Sequence, residues 1–75
     1  MQPLTANAFM YIKNIPANIR RIALERNISQ SKLSELTELH STYVCRIFND
    51  KANPSVETLI KICSVLDCKI DDLLK

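Results

Sequence analysis

The 75-residue chain has room for one domain whose core buries about 60% of the surface its unfolded form exposes. Hydrophobic residues make up 47% and charged residues 24%, ordinary globular values, but glycine is absent where about five would be usual. That absence excludes glycine-rich phosphate cradles and glycine-dependent tight hairpins. With four aromatics (Phe9, Tyr11, Tyr43, Phe48) and no long β-branched alternation, the composition favours an all-α domain over a β-sandwich. The net charge of +2 does not announce a nucleic-acid partner, but its distribution is uneven. Residues 1–53 carry seven basic against four acidic side chains, whereas residues 54–75 carry three against four. An anionic partner should therefore prefer the first two-thirds of the chain.

Taken in order, residues 1–13 read as a flexible N-terminal arm, and residues 14–75 as the folded domain. The apolar run at 8–12 is too short for a membrane span and lacks the flanks of a signal peptide. The pattern predicts a first helix over about 16–26, with Pro16 in its first turn and Ile19, Ile22, Ala23 and Arg26 on one face. Asn27 stands where a left-handed residue must end that helix. Ser29 caps a second helix over about 30–36, anchored by Leu33 and Leu36. A third follows at about 41–49, with Val44, Ile47 and Phe48 facing inward. The segment Asn49 to Pro54 is turn chemistry. Ser55 caps a fourth helix whose stripe is Val56, Leu59, Ile60, Cys63 and Leu66. A one-turn fifth helix at about 70–74 carries Asp71 and Asp72 near its positive end.

The segment Gln30–Ile47 carries the functional signal. Two short helices joined by a tight turn cross steeply only if particular positions are apolar or small, and Leu33, Ser34, Thr37, Leu39, Val44 and Ile47 fill them. This helix-turn-helix spacing leaves Ser41, Thr42, Tyr43 and Arg46 on an open polar face suited to a DNA major groove. The run Ile28-Ser29-Gln30…Leu33-Ser34…Leu39, then Val44…Arg46-Ile47, Asn53-Pro54-Ser55…Glu57-Thr58-Leu59…Leu66 and Asp71-Asp72-Leu73-Leu74 resembles the phage repressor/Cro-type (xenobiotic-response-element-like) helix-turn-helix family. The resemblance covers about residues 15–75. It implies a compact five-helix lambda-repressor-like fold and a sequence-specific transcriptional regulator, a repressor or autoregulator, working in the cytoplasm as a homodimer on an inverted-repeat operator. Phage repressor, restriction–modification controller and antitoxin-like autoregulator all fit.

Where that family commonly pairs an Arg on the first helix with a Glu after the recognition helix, this chain has Ala23 and Phe48, an apolar replacement of an ion pair. Glu38 and Asp50 stand where glycine is usual, so each needs a left-handed backbone. His40 replaces the usual Ser or Thr cap of the recognition helix, which leaves that cap weak or supplied by Ser41.

The resemblance places DNA base contacts at Ser41, Thr42, Tyr43 and Arg46, and phosphate contacts at Gln30, Lys51 and Asn53. Arg20 and Arg21 read as solvated. An apolar surplus toward the C-terminus (Ile62, Val65, Ile70, Leu73, Leu74) reads as the dimer interface. Double-stranded DNA and a second copy are the expected partners, with no membrane and no small-molecule ligand. The three cysteines (Cys45, Cys63, Cys68) and the lone His40 match no common zinc spacing, so neither metal, cofactor nor disulfide is expected. Cys45, on the third helix, is a remote candidate for oxidative interference with DNA. No nucleophile–base constellation is present, so the chain is not read as an enzyme. The competing class is a protein-interaction module that keeps the fold without specific DNA binding; a polar third-helix face bearing Arg46 favours the DNA reading.

Overall fold

The computed structural model describes residues 6–75, with side chains from Asn14 onward. Among these residues the chain is all helical: α1 (Ala6–Glu25), α2 (Gln30–Thr37), α3 (Ser41–Phe48), α4 (Val56–Leu66) and α5 (Ile70–Leu73). Helix α1 begins ten residues before the expected start. Ala6, Ala8, Met10 and Lys13 are good helix formers, and Pro16 lies inside the helix, where it withdraws one donor instead of opening the first turn. The arm read over 1–13 is thus helical from Ala6; its first five residues, and the side chains of Phe9, Met10 and Tyr11, lie outside the described residues.

The core joins all five helices. Ile15, Ile19, Ile22 and Ala23 of α1 meet Leu33 of α2, Val44, Ile47 and Phe48 of α3, Leu59, Ile62, Cys63 and Leu66 of α4, and Leu73 of α5. Ala23 and Phe48 are both buried there, so the apolar replacement of the family's ion pair is packed inside the domain. Five positions depart from the expected burial. Leu36 and Ile60 are exposed, at 47% and 56%, whereas Ile62 and Leu73, read as dimer residues, are wholly inside the protomer. Helix α4 packs between α2 and α5, which rotates its inward stripe to Leu59, Ile62, Cys63 and Leu66 and turns Val56 and Ile60 outward. Val65, Ile70 and Leu74 are only half-buried.

A chain without glycine must end its helices with other residues in the left-handed region. Asn27, Glu38, Asp50 and Asp67 do so, at φ of 57°, 61°, 58° and 54°. At the end of α1, Ile28 N–H donates to Ala23 O at 2.9 Å and Asn27 N–H to Leu24 O at 3.1 Å, the paired bonds of a Schellman turn. Lys51 to Arg46 (2.7 Å) and Asp50 to Ile47 (3.2 Å) repeat it after α3.

Helix α1, with Arg26 just beyond its end, also supplies donors to carbonyls at the ends of three other helices, groups that have no partner within their own helix. Arg20 Nη1 donates to Phe48 O at the end of α3, while the residue as a whole stays exposed, as read. Arg26 Nε donates to Leu66 O of α4 at 3.0 Å. Asn18 Nδ2 donates to Leu73 O of α5 at 2.7 Å and to Lys75 O at 3.0 Å. Arg21, by contrast, makes a solvent-exposed pair with Glu25 at 3.0 Å, worth little to stability.

Candidate nucleic-acid interface

The geometry of α2 and α3 is fixed by their caps. Ser29 Oγ accepts from Lys32 N–H at 3.0 Å, so α2 starts at Gln30. Its last turn is held by Thr37 Oγ1 donating to Leu33 O at 2.6 Å, and left-handed Glu38 then reverses the chain. Ser34 Oγ donates to Leu39 O at 2.5 Å, tying the turn back onto α2. At the start of α3 the imidazole Nδ1 of His40 accepts from Thr42 N–H at 3.1 Å, so His40 itself makes the cap that seemed weak or left to Ser41.

These constraints divide α3 lengthwise. Val44, Ile47 and Phe48 are buried, while Ser41, Thr42, Cys45 and Arg46 are exposed. The exposed set joins Gln30 and Ser31 to line an open groove of about 400 Å³ between the start of α2 and the outer face of α3. Four of the sequence-derived contacts (Gln30, Ser41, Thr42, Arg46) therefore meet on one surface. Ser31 and Cys45 complete it and were not among the expected contacts. For Cys45 the signal was present: it follows Ser41 by four residues and Thr42 by three, which is same-face spacing on a helix.

Arg46 Nη2 donates to Lys51 O at 3.4 Å, which leans the guanidinium toward the loop after α3 and leaves its other donors free. Lys51 and Asn53 are exposed on that loop beside the groove-lining residues, not among them. Tyr43 departs from expectation. It is half-buried against the core with its hydroxyl 3.5 Å from Thr58 Oγ1, so it faces the first turn of α4 and does not line the groove.

Chemically the surface is a row of small hydroxyls, an amide and a thiol ending in a fixed cation. Hydroxyls donate and accept, a guanidinium can grip guanine O6 and N7 together, and a B-DNA major groove admits one α-helix. Among the described residues, no group of three or more His, Cys, Asp or Glu side chains is placed to hold a metal ion, and no helix is long and apolar enough to cross a membrane.

Comparison with known proteins agrees with this geometry. A family model described as Cro/C1-type HTH DNA-binding domain matches residues 18–75. Control protein C.SmaI of Serratia marcescens is 36% identical over 67 residues, covering 88% of this chain and 80% of that protein. No solved structure matches.

Proposed function

Since the chain belongs to the Cro/C1-type helix-turn-helix DNA-binding family, we propose that it acts as a homodimeric control protein on an inverted-repeat operator in double-stranded DNA. That it is a DNA-binding transcriptional regulator follows from the family and from its likeness to a control protein. The observation that carries the finer reading is the single groove shared by Gln30 and Ser31 of α2 with Ser41, Thr42, Cys45 and Arg46 of α3. Ser41 and Thr42 read base edges from the leading end of α3, and Arg46 grips a guanine one turn later. Gln30 with the first N–H groups of α2, and Lys51 and Asn53 from the loop, fix the register by holding phosphates. Tyr43 packs against α4 and is not assigned a base.

The dimer surface in this reading is narrower than the sequence suggested. With Ile62 and Leu73 inside the protomer, it rests on the half-buried Val65, Ile70 and Leu74. Two-fold pairing through them sets two recognition helices about one DNA turn, roughly 34 Å, apart. Of the settings open to the family, the likeness to a control protein favours a controller over a phage repressor or an antitoxin, acting in the cytoplasm with the DNA it regulates.

Selection of duplexes from a random pool, followed by footprinting and sedimentation, tests this. The expected result is an inverted repeat protected at both half-sites by two chains, with affinity falling steeply as salt rises. A chain that sediments as a monomer at high concentration and protects one half-site overturns the dimer. A chain that selects no sequence is the interaction module instead.

A further inference from the structure

The end of α4 brings two thiols together for a backbone reason. Cys68 N–H donates to Cys63 O at 3.1 Å across left-handed Asp67, the long bond of a Schellman turn. That turn brings its two bonded positions close in space, and apolar side chains there commonly touch. After α1 the same positions are Ala23 and Ile28, and after α3 they are Arg46 and Lys51. After α4 both are cysteine. Cys63 is buried in the core, and Cys68 is half-buried against it, the more accessible of the two. Burial first, and then the neighbouring Cys68 thiol, pushes the Cys63 thiol up to about 12. Cys63 is therefore a protonated, shielded partner, and Cys68 is the thiol that an oxidant meets. Cys45 lies apart on the exposed face of α3, beside the Asn49 amide.

We propose that Cys63 and Cys68 form a reversible dithiol–disulfide staple across the turn between α4 and α5, through which a peroxide-class oxidant fixes α5 on the domain. The Cys68 thiolate attacks one oxygen of hydrogen peroxide; an S–O bond forms, the O–O bond breaks, and the departing hydroxide leaves as water after taking a proton. Cys63 sulfur then attacks the Cys68 sulfenic acid. The S–S bond forms, the S–O bond breaks, and the leaving hydroxide takes the Cys63 proton as a second water. Two thiols are oxidised and one peroxide is reduced.

A disulfide needs its sulfurs about 2.05 Å apart, closer than any hydrogen bond between thiols. Cys63 is gripped by the core, so Cys68 is the residue that moves, inward, with Lys69 following at the start of α5. Disulfide closure removes freedom from the unfolded chain and stabilises the turn. The staple itself does not depend on the DNA reading.

The test uses the full chain with Cys45→Ser, which removes the exposed thiol, treated with hydrogen peroxide and followed by intact mass and thermal melting. The staple predicts a loss of about 2 Da. It also predicts a melting temperature higher by about 5 °C, with both changes reversed by dithiothreitol. Adding Cys68→Ser, which leaves the core intact, abolishes both changes. Cys68 driven to sulfinic acid while Cys63 stays a thiol overturns the proposal, as does a bridge between chains or a disulfide that leaves the melt unchanged.

Discussion

The pairs α2–α3 and α4–α5 are built by the same device and put to opposite uses. Each is joined by three residues, Glu38–His40 in one and Asp67–Lys69 in the other, and each connection opens with an acidic residue in the left-handed region. In the first pair the outward residues are hydroxyls, a thiol, an amide and Arg46, all left in solvent. In the second, the apolar residues that look surplus are mostly absorbed: Ile62, Leu66 and Leu73 are wholly buried, tied beneath α1 by Asn18 and Arg26. A crowd of apolar residues at one end of a small domain is therefore core before it is interface. What decides is whether another helix already lies over it.

The largest effect that would break this comparison is in α5. Leu73→Asp should unfold the chain, because an unpaired carboxylate in a fully buried site costs about 3–5 kcal/mol, a large share of a small domain's stability. Val65→Asp should instead leave the circular dichroism of the fold intact and yield monomers in sedimentation. If the two behave alike, the division between core and interface is misplaced.

Phe48→Glu should come close behind, destabilising by about 3 kcal/mol or more in thermal melts, since it puts a charge where an aromatic is buried in the core that also holds Ala23. Combining it with Ala23→Arg restores the family's usual pair and should recover much of the loss. A single variant as stable as the double would show that the two side chains do not share a site.

Smaller effects sharpen the likeness between the two connections. Glu38→Gly should stabilise by about 1 kcal/mol in denaturant unfolding, because glycine occupies φ of 61° without the clash that Glu bears. The smallest belongs to Asp72. Lys69 N–H donates to its Oδ2 at 2.9 Å, and this bond, with help from Lys75, holds the carboxyl below its ordinary range. A depressed folded-state value means stability that is present above the unfolded value and lost as pH falls through the folded one. Asp72→Asn should therefore lower the melting temperature slightly near neutrality and converge with the unaltered chain in acid.

Much of this was legible in sequence where chemistry is local. Ser29 and Ser55 cap the helices as read, and Asn27, Glu38 and Asp50 are left-handed because a glycine-free chain must still turn there. Other features were hidden by long-range packing. An eleven-residue helix such as α4 admits two neighbouring stripes, and only its seat between α2 and α5 chooses Ile62 over Ile60. The donors from Arg20, Arg26 and Asn18 reach carbonyls 28, 40 and 55 residues away, beyond any local pattern. His40 was missed as a cap because imidazole lies outside the usual capping set, although a neutral ring nitrogen accepts as well as a hydroxyl. In the candidate site, Gln30, Ser41, Thr42 and Arg46 were legible from helix-turn-helix spacing, whereas the turning of Tyr43 toward Thr58 was not.

Arg46→Ala decides whether the outer face of α3 reads DNA sequence. Affinities of the variant and the unaltered chain are compared on the selected operator, on its single-base variants and on random duplex, at one salt concentration. If the outer face of α3 reads bases, the operator loses about 1–3 kcal/mol, random DNA changes little, and preference relaxes at one base pair in each half-site. Equal losses on operator and random DNA would contradict it and make Arg46 a phosphate contact.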